Sequence, residues 1–356
     1  MNEVISWPSV FEKLDANLDL TRAESQWAMT QIMSGESLKD DVVRFLVQLR
    51  NKGETSEELG GFVDIMLQNS LKVPVDQDAI DIVGTGGDQL GTVNISTMAA
   101  IVIAACGYPV LKHGSRSASG KTGSSEVLEK LGIRLDLSPS QLQKVFAETN
   151  IIFFFAPVFH PALKHVAPIR KEMGIPTTFN FLGPLANPVQ PLATALGVAN
   201  PDLVDLMAQE MANRGRSAII FRGSDGLDEL TITGNSLVKL VHTGSISELN
   251  FDPESLGIPK TSLNSLIGGD PDHNAAVARA LFAGELGENS PISQIVALNA
   301  AVGISAYELA KSTDLNSFDF QAKMKKNYSA AQTAISSGKA QAKLLQWSEA
   351  TKSAGE

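Results

Sequence analysis

The sequence predicts an α/β protein: a small N-terminal helical domain, then a larger α/β domain with a mostly parallel central sheet covered by helices. Three observations carry this. Residues 1–70 hold only helix signals, residues 80–221 alternate short β-type runs with helical stretches, and four glycines fall within 84–91, directly after the first such run. That alternation is what a parallel sheet under a helical cover requires, because each crossover must return along one face.

In the first segment Thr21 with Glu24, and Thr55 with Glu58, fit reciprocal capping boxes, and Ser37 with Asp40 is a weaker version. They start three helices of about three to four turns. Phe45, Leu46 and Leu49 recur at helical spacing, as in a small bundle packed on itself or on a partner. Nothing chemical is visible there. The linker LKVPVDQDA (71–79) then separates a helical domain at 1–75, which helices near 161–190 are expected to join, from an α/β domain at 76–350.

Strands are expected at 80–83, 109–111, 151–155, 194–198 and 217–221, with helices at 96–106, 124–131, 139–149, 161–173 and 201–213. Pro139 and Pro201 suit first helical positions. Residues 237–240 and 246–250, joined across Thr243 and Gly244, form a hairpin at the sheet edge. From about 272 the chain is Ala-rich and helical, and the terminal SAGE is expected to fray.

Composition narrows the classes. The chain has 356 residues and a formal net charge of −10, with 43% hydrophobic and 19% charged residues, which is ordinary for a globular protein with a full core. Its one cysteine, Cys106, allows no internal disulfide, and its place in IVIAAC predicts core packing. The opening MNEVISWPSVFEKL lacks the basic-then-apolar order of a signal peptide, and IVIAAC and IIFFFA are too short to span a bilayer. A cytoplasmic protein without membrane contact is expected.

The chemistry centres on DIVGTGGDQLGTVNIST, 81–97. A buried strand empties into Gly84, Gly86, Gly87 and Gly91, and Asn94 is placed to cap a helix that starts near Ser96 and stops at Gly107. Backbone N–H groups and a helix N-terminus suit an anion, most often a phosphate, although a plain strand-to-helix connection accounts for the glycines equally well. Charge supports the anion. No Asp or Glu occurs in 89–125, which carries Lys112, His113, Arg116 and Lys121 inside an acidic chain. Such a local inversion fits a small anionic ligand better than a nucleic acid, which wants a broad basic face.

Ligands of open α/β sheets bind beyond the carboxyl ends of the strands. There the sequence places GTGGD, KHGSRSASGKTGSS, His160 and DGLDE. Each has a plain alternative: a flexible Gly/Ser linker, a structural histidine for His113, and a solvated turn for Asp225, Asp228 and Glu229. Arg170 is more pointed, because it shares a helical face with Leu163, Val166 and Met173. A guanidinium on an apolar stripe needs a carboxylate, from a ligand or from the protein itself. Pro168 is expected to bend this helix.

GTGGD, NIST, KHG with its Ser/Gly loop, HPALKHVAPIRKEMGIPTTFNFLGPLANP and DGLDE, in this order, resemble the anthranilate phosphoribosyltransferases of tryptophan biosynthesis. The resemblance runs from about residue 81 to 257, and GGDPDHNAA extends it more weakly. It implies transfer of a phosphoribosyl group from phosphoribosyl pyrophosphate (PRPP) to the amine of anthranilate, with magnesium (Mg2+). It also implies a homodimer joined through the helical domain and an active site between the two domains.

Carried over residue by residue, the resemblance implies PRPP contacts at Gly84, Gly87, Asp88, Thr92, Asn94, Ile95, Ser96 and Thr97. Further PRPP contacts fall at Lys112, His113, Gly114, Ser115, Arg116, Ser117, Ala118, Ser119, Gly120 and Ser124. Magnesium ligands fall at Ser96, Asp228 and Glu229. Acceptor contacts fall at Gly84, Ser115 and Arg170, with His113, His160, Gly183 and Pro184 lining the path. Ser115 stands where the family usually has Asn, Gln89 where glycine is common, and His273 where Glu is common. Ser115 leaves a substituted anthranilate or another aminobenzoate open as acceptor. A pyrimidine nucleoside phosphorylase and a non-catalytic nucleic-acid-binding relative are the rival readings; the metal pair and Arg170 weigh against the first, the acidic pI of about 5.1 against the second.

The aromatic amine is neutral at physiological pH, so it needs position rather than a base. No residue is therefore expected to be an indispensable general base, and His113 is the leading candidate to take up the departing proton. The glycines also imply loop movement that excludes water from an oxocarbenium-like species.

Overall fold

The computed structural model describes residues 4–116 and 122–355. Its N-terminal segment forms α1 (Trp7–Asp15), α2 (Arg22–Ser34), α3 (Lys39–Lys52) and α4 (Ser56–Gln68), one helix more than expected. The capping boxes at Thr21 and Thr55 both close. Ser37 caps nothing, because α3 starts behind Leu38 and Asp40 lands one position short of the reciprocal site. Helix α1 escaped notice because its box pairs Ser6 with Ser9, where the recognisable pattern has Glu or Gln. Phe45, Leu46 and Leu49 are almost fully buried, each contributing about 1.5–3 kcal/mol of apolar burial.

The α/β alternation follows as β1 (Ile80–Gly84), α5 (Ile95–Ala105), β2 (Val110–Gly114), α6 (Ser124–Lys130), α7 (Pro139–Thr149) and β3 (Ile151–Phe155). Next come α8 (Ala156–Phe159), α9 (Ala167–Met173), β4 (Ala193–Gly197), α10 (Asp202–Asn213) and β5 (Ser217–Gly223). The expected helix at 161–173 is broken: a 3-10 turn, Pro161–His165, precedes α9, whose first turn takes Pro168. Pro201 caps α10 from outside rather than opening it. The edge hairpin is β6 (Ser236–His242) and β7 (Ser245–Phe251). Helices α11 (Pro271–Phe282), α12 (Pro291–Ala310), α13 (Phe320–Ser336) and α14 (Lys339–Ala354) complete the chain, and α14 takes in the Ser353 and Ala354 expected to fray.

Among the described residues the sheet runs β3-β2-β1-β4-β5-β6-β7, parallel from β3 to β5 and antiparallel beyond. The chain steps outward from β1 through β2 to β3 and then returns to lay β4 on the other side of β1. The order therefore reverses between β1 and β4, and in open α/β sheets such a reversal marks the ligand crevice beyond the carboxyl ends of the strands.

Side chains alternate across the sheet. Ile82, Ala195 and Ile219 face a core built with α5 and α12 to α14, whereas Val83, Leu196 and Ile220 face one built with α1 to α4 and α10. Val166, Leu182 and Leu185 join the second core, so the segment carrying His160 and Arg170 packs on the helical bundle. By length and composition α12 is apolar enough to cross a membrane, a stretch the sequence reading passed over. It is a core helix, mostly buried against α5, α13 and the sheet. Cys106 is partly rather than fully buried at the end of α5, and burial pushes its thiol up to about 11.

Candidate active site

The crevice is floored by glycines. At the end of β1 a Cβ on Gly84 would stand 2.1 Å from Asp228 Oδ2, and at the end of β4 one on Gly197 would stand 1.7 Å from the Asp228 carbonyl oxygen. Bare backbone at both strand ends lets the loop after β5 lie across them. That loop is not the solvated turn its composition permits. Asp225 builds it, accepting the Leu227 N–H and the hydroxyls of Thr231 and Thr233, while Glu229 is 7% exposed.

Asp228 and Glu229 occupy the anion-binding backbone. Gly86 N–H donates to Asp228 Oδ2 at 2.7 Å, and Ser96 N–H, in the first turn of α5, donates to Glu229 Oε1 at 2.9 Å. These are donors that a glycine loop and a helix N-terminus offer to a phosphate. The acids are held there at a cost: burial first, then Asp88, pushes Asp228 up to about 7. Burial and then Asp228 push Glu229 well above the carboxylate range, partly offset by Lys112. Asp88 is also raised, by burial.

Lys112 is the counter-charge. It is 2% exposed, and its Nζ donates to the Ile82 carbonyl at 2.5 Å. Burial lowers its pKa while Asp81, Glu229 and Asp228 oppose the shift. Asp81, which the sequence reading did not single out, lies fully buried on β1, accepting the His113 N–H at 3.2 Å and the Asn187 amide at 2.9 Å. Burial pushes it up to about 6. A lone acid inside the apolar strand IDIV was its available signal; Asn187 and Gly197 offered none.

His113 is held neutral. Its Nδ1 lies 3.0 Å from the Gly183 carbonyl, which requires the proton on Nδ1 and leaves Nε2 bare, buried and without a partner among the described residues. Burial, then the neighbouring His160 ring at 5.1 Å, pulls it down to about 3. Burial pulls His160 to about 4. An imidazole so poorly basic weakens the expectation that His113 collects the reaction proton. Gly183 opens a 3-10 turn that continues into the buried Pro184.

Arg170 has no carboxylate partner among the described residues. It is half-buried, one guanidinium N–H donates to Asn180 Oδ1 at 3.1 Å, and the group lies 5.4 Å from the centre of the Phe179 ring. Thr178 beside them donates its hydroxyl to Glu54 of the bundle. Arg116 behaves otherwise: exposed, it pairs with Glu129 at 3.2 Å.

Asn94 does not cap α5. Its side chain instead donates to the Thr122 carbonyl at 3.1 Å and accepts from Asn274 at 2.8 Å. Asp88 accepts the Leu90 N–H, Thr92 bridges to Ile267, and Ile95 and Thr97 are buried in the first turn of α5. Gly87 and Gln89 both adopt the left-handed backbone, φ +83° and +57°, so Gln89 sits where glycine costs less. A Cβ at Gly114 would stand 2.5 Å from Ser124 Oγ, which bonds the exposed Ser115 through its carbonyl at 3.2 Å. Ser117, Ala118, Ser119, Gly120 and Lys121 lie outside the described residues.

The donor set fits a hard divalent cation. Burial raises Asp88, Asp228 and Glu229 alike, and Asp88 raises Asp228 while both raise Glu229, a charge burden that magnesium relieves, yet no three-residue cage of His, Cys, Asp or Glu is preformed among the described residues. Magnesium tolerates this, because it commonly takes one or two carboxylates and completes its shell with phosphate oxygens and water.

The family model for the glycosyl transferase helical bundle domain matches residues 8–70, and that for the glycosyl transferase a/b domain matches 76–341. An anthranilate phosphoribosyltransferase of Leifsonia xyli is 47% identical over 352 residues, 99% of this chain and 100% of its own. The crystal structure of anthranilate phosphoribosyltransferase from Thermus thermophilus superimposes with a TM-score of 0.86 at 35% identity, over 96% of this chain and 99% of that one. The Saccharomyces cerevisiae enzyme in complex with PRPP and Mg gives 0.85 at 28% identity, over 98% and 99%. With both domain models matched and this identity over nearly the whole length, the chain belongs to the anthranilate phosphoribosyltransferase family of glycosyl transferases.

Proposed function

We propose that the protein transfers the phosphoribosyl group of PRPP to the amine of anthranilate, giving N-(5-phosphoribosyl)anthranilate and pyrophosphate for tryptophan biosynthesis. The observation that carries this reading is the pairing of Asp228 and Glu229 with the Gly86 and Ser96 N–H groups opposite the buried Lys112. It joins a phosphate cradle to metal-seeking acids in one crevice.

In the reaction the amine lone pair forms the new bond to the anomeric carbon. The bond from that carbon to pyrophosphate breaks, and its electron pair leaves with pyrophosphate. Magnesium, when bound, supplies positive charge to the departing pyrophosphate. Ser96, Asp228 and Glu229 would hold it, which would leave the Gly86 and Ser96 N–H groups, now taken by the two acids, to phosphate oxygens. Lys112 adds a fixed cation. Gly84, Gly87, Asp88, Thr92, Asn94, Ile95, Ser96, Thr97 and Ser124, with the loop that starts at Gly114, contact PRPP.

Arg170 grips the anthranilate carboxylate, a role left open because no carboxylate among the described residues pairs with it. Gly84, Ser115, His113, His160, Gly183 and Pro184 line the way. The amine sheds its extra proton after attack, and because His113 is a weak base this step does not depend on it. The protein works as a cytoplasmic homodimer joined through α1 to α4, with the domain boundary near residue 75.

The test is direct. Anthranilate fluorescence should fall with purified protein only when PRPP and magnesium are both present. Fluorescence that persists under those conditions rejects the reading; pyrophosphate release with another aminobenzoate keeps the reaction and reassigns the acceptor.

A further inference from the structure

A closed ring of side-chain hydrogen bonds ties together three segments beside the crevice. The Asn94 amide donates to the Thr122 carbonyl at 3.1 Å. The Thr122 hydroxyl donates to the Gly269 carbonyl at 2.8 Å. Gly269 N–H donates to Asn274 Oδ1 at 2.8 Å, and the Asn274 amide donates to Asn94 Oδ1 at 2.8 Å, which closes the ring. Asn274 sits in the first turn of α11 and is 3% exposed. A backbone patch extends the contact: Gly268 N–H donates to the Gly91 carbonyl and Val93 N–H to the Leu266 carbonyl.

The ring explains why Asn94 leaves α5 uncapped. A carboxamide at an N-cap ordinarily turns back onto its own helix. Here both of its ends are engaged elsewhere, and Asn274 is the residue that engages the oxygen. Its own oxygen accepts the Gly269 N–H, so Asn274 links the glycine loop to the 268–270 turn. The space is matched to it, since a Cβ at Gly268 would stand 2.7 Å from Asn274 Oδ1.

We propose that Asn274 is a positioning residue for PRPP. It sets the rotamer of Asn94 and holds the glycine loop of residues 84–94 in register with Thr122, at the end of the second PRPP loop. Asn274 touches no substrate; it acts through Asn94. The inference rests on PRPP as the substrate of this crevice.

Kinetics of Asn274→Ala, Asn274→Asp, Asn94→Ala and the Asn94/Asn274 double alanine variant test it. Loss of the buried amide should raise KM for PRPP about five- to twentyfold, with KM for anthranilate nearly unchanged. Asn274→Asp, which keeps the acceptor for Gly269 but loses the donor to Asn94, should do the same, whereas a merely structural loss would impair both substrates alike. In the double-mutant cycle the second substitution should add little to Asn94→Ala. Additive effects, or equal rises in both KM values, overturn the proposal.

Hydrogen exchange reads the ring without any substrate. Amides of 91–97 and 122–124 should both exchange faster in ligand-free Asn274→Asp than in the wild type, and unchanged exchange in either stretch overturns the coupling. Absence of PRPP turnover by the wild type would overturn the functional reading and with it the substrate named here, while the exchange comparison still decides whether Asn274 joins the two loops.

Discussion

A Cβ on Gly197 would stand 1.7 Å from the carbonyl oxygen of Asp228. The carboxyl end of β4 is thus shaped by the acid loop that crosses it, and the metal-seeking pair can lie over the switch point only because β4 ends without a side chain. Gly197→Ala must push that loop outward. We expect a loss of about 1–3 kcal/mol of stability from overpacking and a magnesium requirement raised at least tenfold. Thermal melts and a magnesium titration of activity check both, and a variant with wild-type magnesium dependence refutes the relationship.

Arg170 offers a planar fork to a carboxylate, and a lysine cannot reproduce it. Arg170→Lys should raise KM for anthranilate about tenfold, and Arg170→Ala about a hundredfold, the range of one or two charge-assisted hydrogen bonds. KM for PRPP should hardly move. Steady-state kinetics with each substrate varied separately would expose an error, since equal effects on both substrates mean a structural role.

His113 carries no charge near neutrality, its pKa being pulled to about 3 by burial. The rate should therefore show no limb near pH 6.5 that disappears in His113→Ala. That variant should keep measurable turnover, while Asp228→Ala combined with Glu229→Ala should abolish it. A His113→Ala variant as inactive as the double acid variant would restore an essential base.

The two buried imidazoles also shape stability against pH. Their folded pKa values, about 3 for His113 and about 4 for His160, lie below the ordinary 6.5. The unfolded chain therefore binds more protons once the pH drops below about 6.5. Their stabilisation is complete above that pH and is lost as acid is added, to the extent of about 2 kcal/mol per imidazole at pH 5. Asp81, raised to about 6 by burial, works in the opposite sense, favouring the fold at low pH and losing that contribution as pH rises through about 6. Denaturant unfolding of His160→Gln at pH 7.5 and 5 should show a smaller acid loss than the wild type; an equal loss contradicts the assignment.

Ser115 is exposed, and its backbone is tied to Ser124 and Ser125. A change of its side chain should leave the loop base in place. Ser115→Asn should lower KM for anthranilate about two- to tenfold, as one added hydrogen bond would. If KM instead rises, the serine is itself adapted to the acceptor this protein uses.

Much of this was legible before folding. Capping boxes at Thr21 and Thr55, the alternation from β1 to β5, the glycine loop and the acids of DGLDE are local patterns, fixed by hydrogen bonds or periodicities that span a few residues. Linked in order, they also carried the family resemblance. The misses have different causes: Asn94 is drawn from its cap by Asn274, which lies 180 residues away, Ser37 lies one residue before the N-cap of α3, and α1 uses a Ser6–Ser9 box that lacks the usual Glu or Gln.

The sequence by itself determined which residues are chemically able to hold phosphate, metal and carboxylate, because that ability lies in the side chains and in bare glycine backbone. Only the tertiary structure decided their state. Strand order placed β4 beside β1 and brought Gly197 under Asp228; burial made His113 neutral and Asp228 reluctant to ionise; and the helical bundle covered one sheet face and packed against the segment bearing Arg170. Desolvation and long-range contact are properties of the folded neighbourhood, and no local pattern encodes them.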